Sequence, residues 1–311
     1  MSMLEQPGRN TTTTLLTADK PTCEQPMELF ITDEHTEYYL ALKFGGDTSR
    51  GLLAGLFGWL AVFMLPLEML LMLKGQWESS LIGLVMLGTL FLVPFLWETL
   101  RPLPLPILFN RRTREVYFDH DGELFHTPWD GIYAVANEFQ LVGTQIGGMQ
   151  SASLEIRVWQ FGKPETALMV SLGSPFGKSL TLQKSLWEYI RAYMNNGPYF
   201  DEHGNHSESD VFVKSQLAVR PKMSDGFKRT REQIKQAKRE AGGKNYLGGY
   251  DVIKLTLGAM FYPLDRIQEF TYSIAKRRSR NRWPSDVTDR LKANGPITRL
   301  ADLECVIAAN P

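Results

Sequence analysis

The stretch Gly173 to Ser179, GSPFGKS, gathers glycines, a lysine and a serine where a strand gives way to a helix. Those residue types at that position suit a phosphate cradle, in which backbone N–H groups and a lysine hold phosphate oxygens. The spacing argues against it, because three residues separate the first glycine from the Gly-Lys pair and the cradle needs four. The local expectation is instead a helix start, with Ser174 as cap, Pro175 just inside and Lys178 in solvent. His203 and His206, within YFDEHGNHSESD, are metal-ligand types beside carboxylates. Their polar, turn-rich setting predicts a solvated loop rather than a metal site. Cys23 and Cys305 lie near opposite ends, and no spacing suggests zinc or a redox dithiol. No nucleophile–base pair or cofactor loop emerges, so the chain is read as non-enzymatic, without cofactor or metal.

Glu68 is the remaining chemical suspect, because it is the one charge in Gly51–Leu73, GLLAGLFGWLAVFMLPLEMLLML. A helix of that length reaches about 34 Å at about 1.5 Å per residue, enough for a hydrocarbon core of about 30 Å. A second run, Ser80–Trp97, follows after the short KGQWES connection. Residues 51–97 therefore predict a transmembrane helical hairpin, with spans at 51–73 and 80–97. Trp77 and Trp97 fall where interfacial anchors are expected, whereas Trp59 lies inside the first run. Pro66 and Pro94 predict kinks, and the Gly51–Gly55 spacing predicts close packing of the two helices or a homodimer. A carboxylate at the depth of Glu68 is a functional suspect by its location alone.

Composition sets the surroundings. The chain has 311 residues with 34 basic and 34 acidic side chains, so no global charge draws it to nucleic acid. The mean hydropathy of -0.20 averages a charge-poor 51–97 with a charge-rich 201–245. Residues 1–24, Thr-rich and polar, read as a disordered tail, and 25–50 as a pre-membrane segment. The short connection carries only Lys74, while Lys43, Arg50, Arg101, Arg111, Arg112 and Arg114 flank the hairpin. That asymmetry predicts both termini in the cytoplasm.

Beyond RPLPLP, residues 104–197 change to short β-like runs: PILFN, EVYFD, LFHTPW, GIYAVAN, FQLVGTQIG, SLEIRVWQF and ALMVSLG. In SLEIRVWQF, Leu154, Ile156 and Val158 alternate inward with outward Glu155, Arg157 and Trp159. Leu180, Leu182, Leu186, Ile190 and Tyr193 then form a helical stripe. The expected class is membrane α+β, with an antiparallel seven-stranded pleckstrin-homology-like barrel plugged by its C-terminal helix. A polar linker (198–226) and a helical C-terminal region (227–311) complete the chain. There FKRTREQIKQAKREAGG reads as a charged surface helix ending at Gly242–Gly243. Tyr250–Pro284 has apolar runs too short and too interrupted to span, divided by Pro263. Lys276, Arg277, Arg278, Arg280 and Arg282, followed by Trp283, form a basic cluster suited to anionic headgroups.

The two-helix hairpin, then PILFNRRTREVYF, then HTPWD, then a long helix, resembles an uncharacterised family of Gram-negative bacterial inner-membrane proteins. Members often lie beside type VI secretion effectors. The resemblance covers about two thirds of the chain and implies an immunity or accessory role, in which the cytoplasmic domain binds a protein partner. Its motifs are structural and carry over no active-site residue. The expected partner contacts are the hairpin-tip side chains Arg111, Arg112, Arg114 and His120, with exposed Trp159. The competing reading is a lipid-sensing scaffold that uses Arg111, Arg112 and the 276–282 cluster on anionic lipid.

Overall fold

The structure is a computed structural model describing residues 12–44, 50–101, 103–143, 147–173, 178–218, 225–240, 242, 249–279 and 283–309. It divides into two units. One holds the sheet and comprises 1–45, 104–219 and 282–311; the other holds the long apolar helices and comprises 46–103 and 220–281.

Nine strands form the sheet unit: β1 (Thr12–Thr17), β2 (Thr32–His35), β3 (Tyr39–Leu42), β4 (Ile107–Asn110), β5 (Glu115–His120), β6 (Glu123–Pro128), β7 (Tyr133–Gly143), β8 (Gly147–Gln160) and β9 (Lys163–Ser171). They lie antiparallel in the order β1-β7-β8-β6-β5-β4-β3-β2, with β9 on β8, in a curled half-barrel. The seven expected runs become six strands, because GIYAVAN and FQLVG join in β7. Three further strands come from upstream of the apolar helices. The expected disordered tail is thus corrected from Thr12 onward, since β1 pairs Thr12–Thr17 with Glu138–Tyr133. Threonines favour a pleated, half-buried strand once a partner edge is present, and that edge lies over a hundred residues away. Likewise β3 pairs with β4 across the inserted helices.

Long β8 organises the sheet. Phe125 and His126 of β6 face its Gln160 and Trp159, whereas β7 joins it from Ala134 opposite Ile156. Between them residues 127–133 leave the ladder, so β6 turns away to β5 and β7 to β1. The alternation in SLEIRVWQF holds, with Leu154, Ile156 and Val158 fully buried. Helix α3 (Leu180–Asn196) covers this face with Leu186, Trp187, Tyr189, Ile190 and Tyr193. Each such burial contributes about 1.5–3 kcal/mol. Its cap is Ser179, whose Oγ accepts from Leu182 N–H at 3.3 Å. This corrects the expected cap at Ser174; Ser174 and Pro175 lie outside the described residues. Lys178 is half-buried rather than free in solvent: burial lowers its pKa, partly offset by Glu28.

The rest of this unit is helical. Within the expected polar linker, Phe200 and Val213 reach the core, Val213 from α4 (Val211–Ala218). Two C-terminal helices, α7 (Ser285–Leu291) and α8 (Leu300–Ala309), follow. The helical unit contributes α1 (Leu52–Leu73), α2 (Trp77–Leu100), α5 (Asp225–Glu240) and α6 (Gly249–Ser279). Both α1 and α2 are long and apolar enough to cross a membrane. Helix α2 begins three residues before the expected Ser80 and runs past Trp97, leaving a connection of Lys74–Gln76. Pro66, Pro94 and Pro263 each lie inside a continuous helix.

Helix α6 corrects the expected division of Tyr250–Pro284 at Pro263, because it runs unbroken from Gly249 to Ser279. Gly51 meets Gln268, Gly55 meets Leu264, and Trp59 donates its indole N–H to the Met260 carbonyl at 2.7 Å. Each four-residue step up α1 is a four-residue step down α6, so the helices run antiparallel. The Gly51–Gly55 spacing serves this contact, not the α1–α2 contact or a dimer, because glycine lets backbones approach. A methyl group at Gly55 would lie 2.9 Å from the Leu264 carbonyl oxygen, whereas Gly88 faces open space.

Gly55→Leu should push α6 off α1, raising protease nicking within 225–279 several-fold in detergent, while Gly88→Leu leaves it unchanged. In the sheet unit, Asn195 Oδ1 accepts from Trp129 Nε1 at 2.7 Å and Asn195 Nδ2 donates to the Ala18 carbonyl at 2.7 Å. Asn195→Ala leaves both groups unpaired, at about 1–3 kcal/mol, and should lower the tryptophan-monitored Tm by several degrees.

Candidate partner-docking site

The three arginines expected at the partner contact sit half-buried in the β4–β5 turn, and each is engaged by neighbouring segments of the sheet unit. Arg111 Nε donates to the Glu37 carbonyl at 3.2 Å. Arg112 donates to the carbonyls of Lys292 and Gly295 and lies over the Tyr38 ring. Arg114 pairs with Asp130 at 2.7 Å and donates to Met194 O and Asn195 Oδ1. A guanidinium offers five donors in a rigid fork, which suits it to collecting backbone carbonyls from separate segments. These side chains fasten the turn to the segments beside it. His120, at the next hairpin tip, is exposed, with Asp121 at 3.9 Å and its ring against Phe118 and Phe125.

Trp159 stands apart from that group. Half-buried on the outer face of β8, it lines an open cleft of about 240 Å³ with Pro128, Asp130, Tyr133 and Arg157. The cleft exists because residues 127–133 leave the ladder there, opening a gap beside β8. Its walls are aromatic and its rim carries both signs of charge. Burial is the largest single influence and raises the Asp130 pKa, but Arg114 and Arg299 together outweigh it and hold the carboxyl below its usual range. A second cleft, near Cys23 and His203, contains the buried Glu188. That carboxylate is already engaged by Thr22 and Arg191.

The residues expected on lipid divide. Lys276 is half-buried and Arg277 and Arg278 are exposed in the last turn of α6. Arg280 and Arg282 lie outside the described residues. Trp283 is corrected: it is buried with Ala41, Leu105, Tyr117 and Val287, where α7 covers the outer face of β3–β5. Glu68 lies against Gly83 of α2, where a Cβ would collide with its carboxylate. Its Oε2 is buried without a hydrogen-bond partner among the described residues, while its backbone oxygen accepts from Ser80 Oγ at 2.8 Å.

Glu98 and Glu115 have no counterpart among the sequence expectations. The Glu98 carboxylate accepts from Leu53 N–H at 3.4 Å and Ala54 N–H at 2.9 Å, satisfying orphan donors at the start of α1. Glu115, fully buried, does the same for α8, accepting from Leu300 N–H at 2.9 Å and Ala301 N–H at 3.1 Å. Tyr117 O–H donates to it as well, at 2.9 Å. His126 lies between Glu115 at 3.6 Å and Glu304 at 3.2 Å. Neither ring nitrogen has a hydrogen-bond partner among the described residues, so the imidazole sits beside the two carboxylates without a hydrogen bond to either. Burial raises the Glu115 pKa, but His126, the two amides and Tyr117 outweigh it, and the net direction is down. Burial and Glu115 together push the Tyr117 phenol well above its ordinary value.

A carboxyl whose folded pKa is depressed contributes stability that is present above its unfolded value. That contribution is lost as pH falls through the folded pKa. Protection factors across 296–309, taken against the intrinsic exchange rate at each pH, should therefore be high at pH 6 and fall once pH drops below the ordinary glutamate range. Glu115→Gln should be less protected already at pH 6, with a flatter acid dependence, because the charged cap on α8 is gone. Unchanged protection in Glu115→Gln would remove the latch role. Among known proteins, no family model, no curated protein and no solved structure matches this chain.

Proposed function

We propose that this is a membrane-anchored, non-enzymatic binding protein, held by α1 and α2 and docking a protein partner on its sheet unit. The observation that carries the reading is where apolar surface lies. Eleven large apolar side chains on each of α1 and α2 are exposed. A core helix would bury them, at about 1.5–3 kcal/mol each, whereas hydrocarbon accepts them as they are. Exposed Trp77 and Trp97 suit the two interfaces, the latter with Arg101 over its ring at 5.6 Å. In this reading both termini are cytoplasmic, Lys74–Gln76 is the external turn, and the membrane is the bacterial inner membrane. The half-barrel closed by α3 is the feature behind the pleckstrin-homology-like reading.

The docking site in this proposal is the cleft at Trp159, Tyr133 and Arg157, joined by His120 from the earlier expectation. Arg111, Arg112 and Arg114 support the scaffold instead of touching the partner. The partner class we propose, following the family resemblance, is a type VI secretion effector, with the chain as its immunity or accessory protein. Purified full-length protein in nanodiscs should bind the product of an adjacent effector gene, and Trp159→Ala should weaken that binding at least tenfold. Cells lacking the protein should become sensitive to sibling cells delivering the effector. Full resistance of those cells would end the immunity reading.

A second reading, a lipid-sensing scaffold, draws support from exposed Arg277 and Arg278 at the end of α6. Each basic residue near an anionic surface contributes about 1 kcal/mol. Salt-sensitive flotation of a span-free variant with anionic vesicles, absent with neutral ones, would favour it.

A further inference from the structure

β9 is an edge. Among the described residues it pairs with β8 alone, and no strand pairs with its other side. The Leu172 N–H donates to the Leu154 carbonyl at 2.7 Å, which fixes the phase of the ladder. Val170 and Leu168, opposite Ile156 and Val158, therefore direct their backbone groups toward β8. Ala167, Met169 and Ser171 direct theirs outward. Six of the nine β9 residues are exposed over Lys163–Met169, and Met169 is 42% exposed. Natural sheets usually blunt such an edge. Here Pro164 and two charges guard only its first three residues, and Thr166–Ser171 is left open.

β9 lies beside the β8 residues that line the cleft. Trp159 stands directly opposite Ala167, and Arg157 directly opposite Met169. Alanine is too short to screen the indole from the edge. A strand added beside β9 would lie about 4.8 Å further out. Its outward side chain facing Ala167 would then reach over that residue to Trp159, and the one facing Met169 would approach Arg157.

We propose that β9 takes up an extended segment of a partner protein as an additional antiparallel strand. That segment carries a large apolar or aromatic residue opposite Ala167 and a carboxylate opposite Met169. Among the described residues the outward N–H and C=O groups of Ala167, Met169 and Ser171 meet no other backbone, and pairing them with one is the chemistry of strand addition. This rests on the protein-binding reading above and names the partner's binding form. A second copy of β9 fits less well. The antiparallel register that sets Lys163 against Glu165 of another copy overlaps only those three residues, 163–165. Longer registers leave the charges unmatched.

The test uses full-length protein in nanodiscs, panned against displayed random peptides of about twelve residues. Selected peptides are then synthesised and titrated by fluorescence anisotropy. They should share the apolar–x–acidic alternation, and binding should slow hydrogen exchange across 163–171. Ala167→Pro removes an outward N–H without touching the β8 ladder, a substitution an edge strand tolerates. It should weaken binding at least tenfold while leaving the Tm within a few degrees. Trp159→Ala should weaken it comparably, and Arg157→Glu should reverse the preference for acidic peptides. Strand addition is overturned if no peptide protects 163–171, or if Ala167→Pro binds as wild type. It is also overturned if unliganded 163–171 becomes protected as protein concentration rises, the mark of edge-to-edge self-pairing. Loss of binding in Trp159→Ala with wild-type binding in Ala167→Pro would sink strand addition yet leave the cleft as the docking site. Were neither substitution to matter, both readings would fall.

Discussion

The surface of α1 and α2 constrains everything else. Twenty-two helical residues in one and twenty-four in the other expose leucine, valine, methionine and phenylalanine on most faces. Only one stripe of α1, through Gly51, Gly55 and Gly58, is taken up by α6. Water opposes such an arrangement, and in hydrocarbon every backbone group must be satisfied within the helices themselves. The proposed anchorage answers both conditions. Within the sheet unit the two strands flanking the insertion, β3 and β4, pair directly.

Carboxylates at helix ends recur as the means of fastening. Glu98, at the end of α2, takes the first amides of α1, and Glu115, on β5, takes those of α8. In each case a negative charge meets the positive end of a helix dipole and satisfies donors that no other backbone group reaches. The arginines of the β4–β5 turn perform the complementary task on carbonyls. Charged side chains therefore hold segments distant in sequence together within each unit, and the proposed docking surface falls to the aromatic cleft and the open strand beside it.

Much of this was legible from local pattern. The apolar runs gave α1 and α2 to within a few residues, and period-two alternation gave the buried face of β8. The helical stripe through Leu186, Ile190 and Tyr193 likewise gave α3. What escaped depends on partners remote in sequence. Thr12–Thr17 is a polar tail until β7 supplies an edge, and Trp283 resembles an interfacial anchor until α7 lays it over β3–β5. The glycines of α1 announced a close approach without naming α6, because Asp265, Arg266 and Glu269 interrupt the pattern that would have marked its apolar face. Arg111, Arg112 and Arg114 looked free because no local feature reveals the carbonyls waiting for them. The Trp159 cleft was half-visible: the alternation placed the indole outward, but the gap beside it arises from a strand break that composition does not encode.

The central claim is that α1 and α2 cross a bilayer and return, leaving only their short connection outside. Single cysteines placed at Gly75, Asp19 and Glu202 in a Cys23→Ser, Cys305→Ser background, probed on intact cells with a membrane-impermeant maleimide, test it most directly. Labelling at position 75 alone, with 19 and 202 reacting only after lysis, is the predicted result. Labelling of 19 or 202 on intact cells, or recovery of the protein in the supernatant after detergent-free ultracentrifugation, would contradict it.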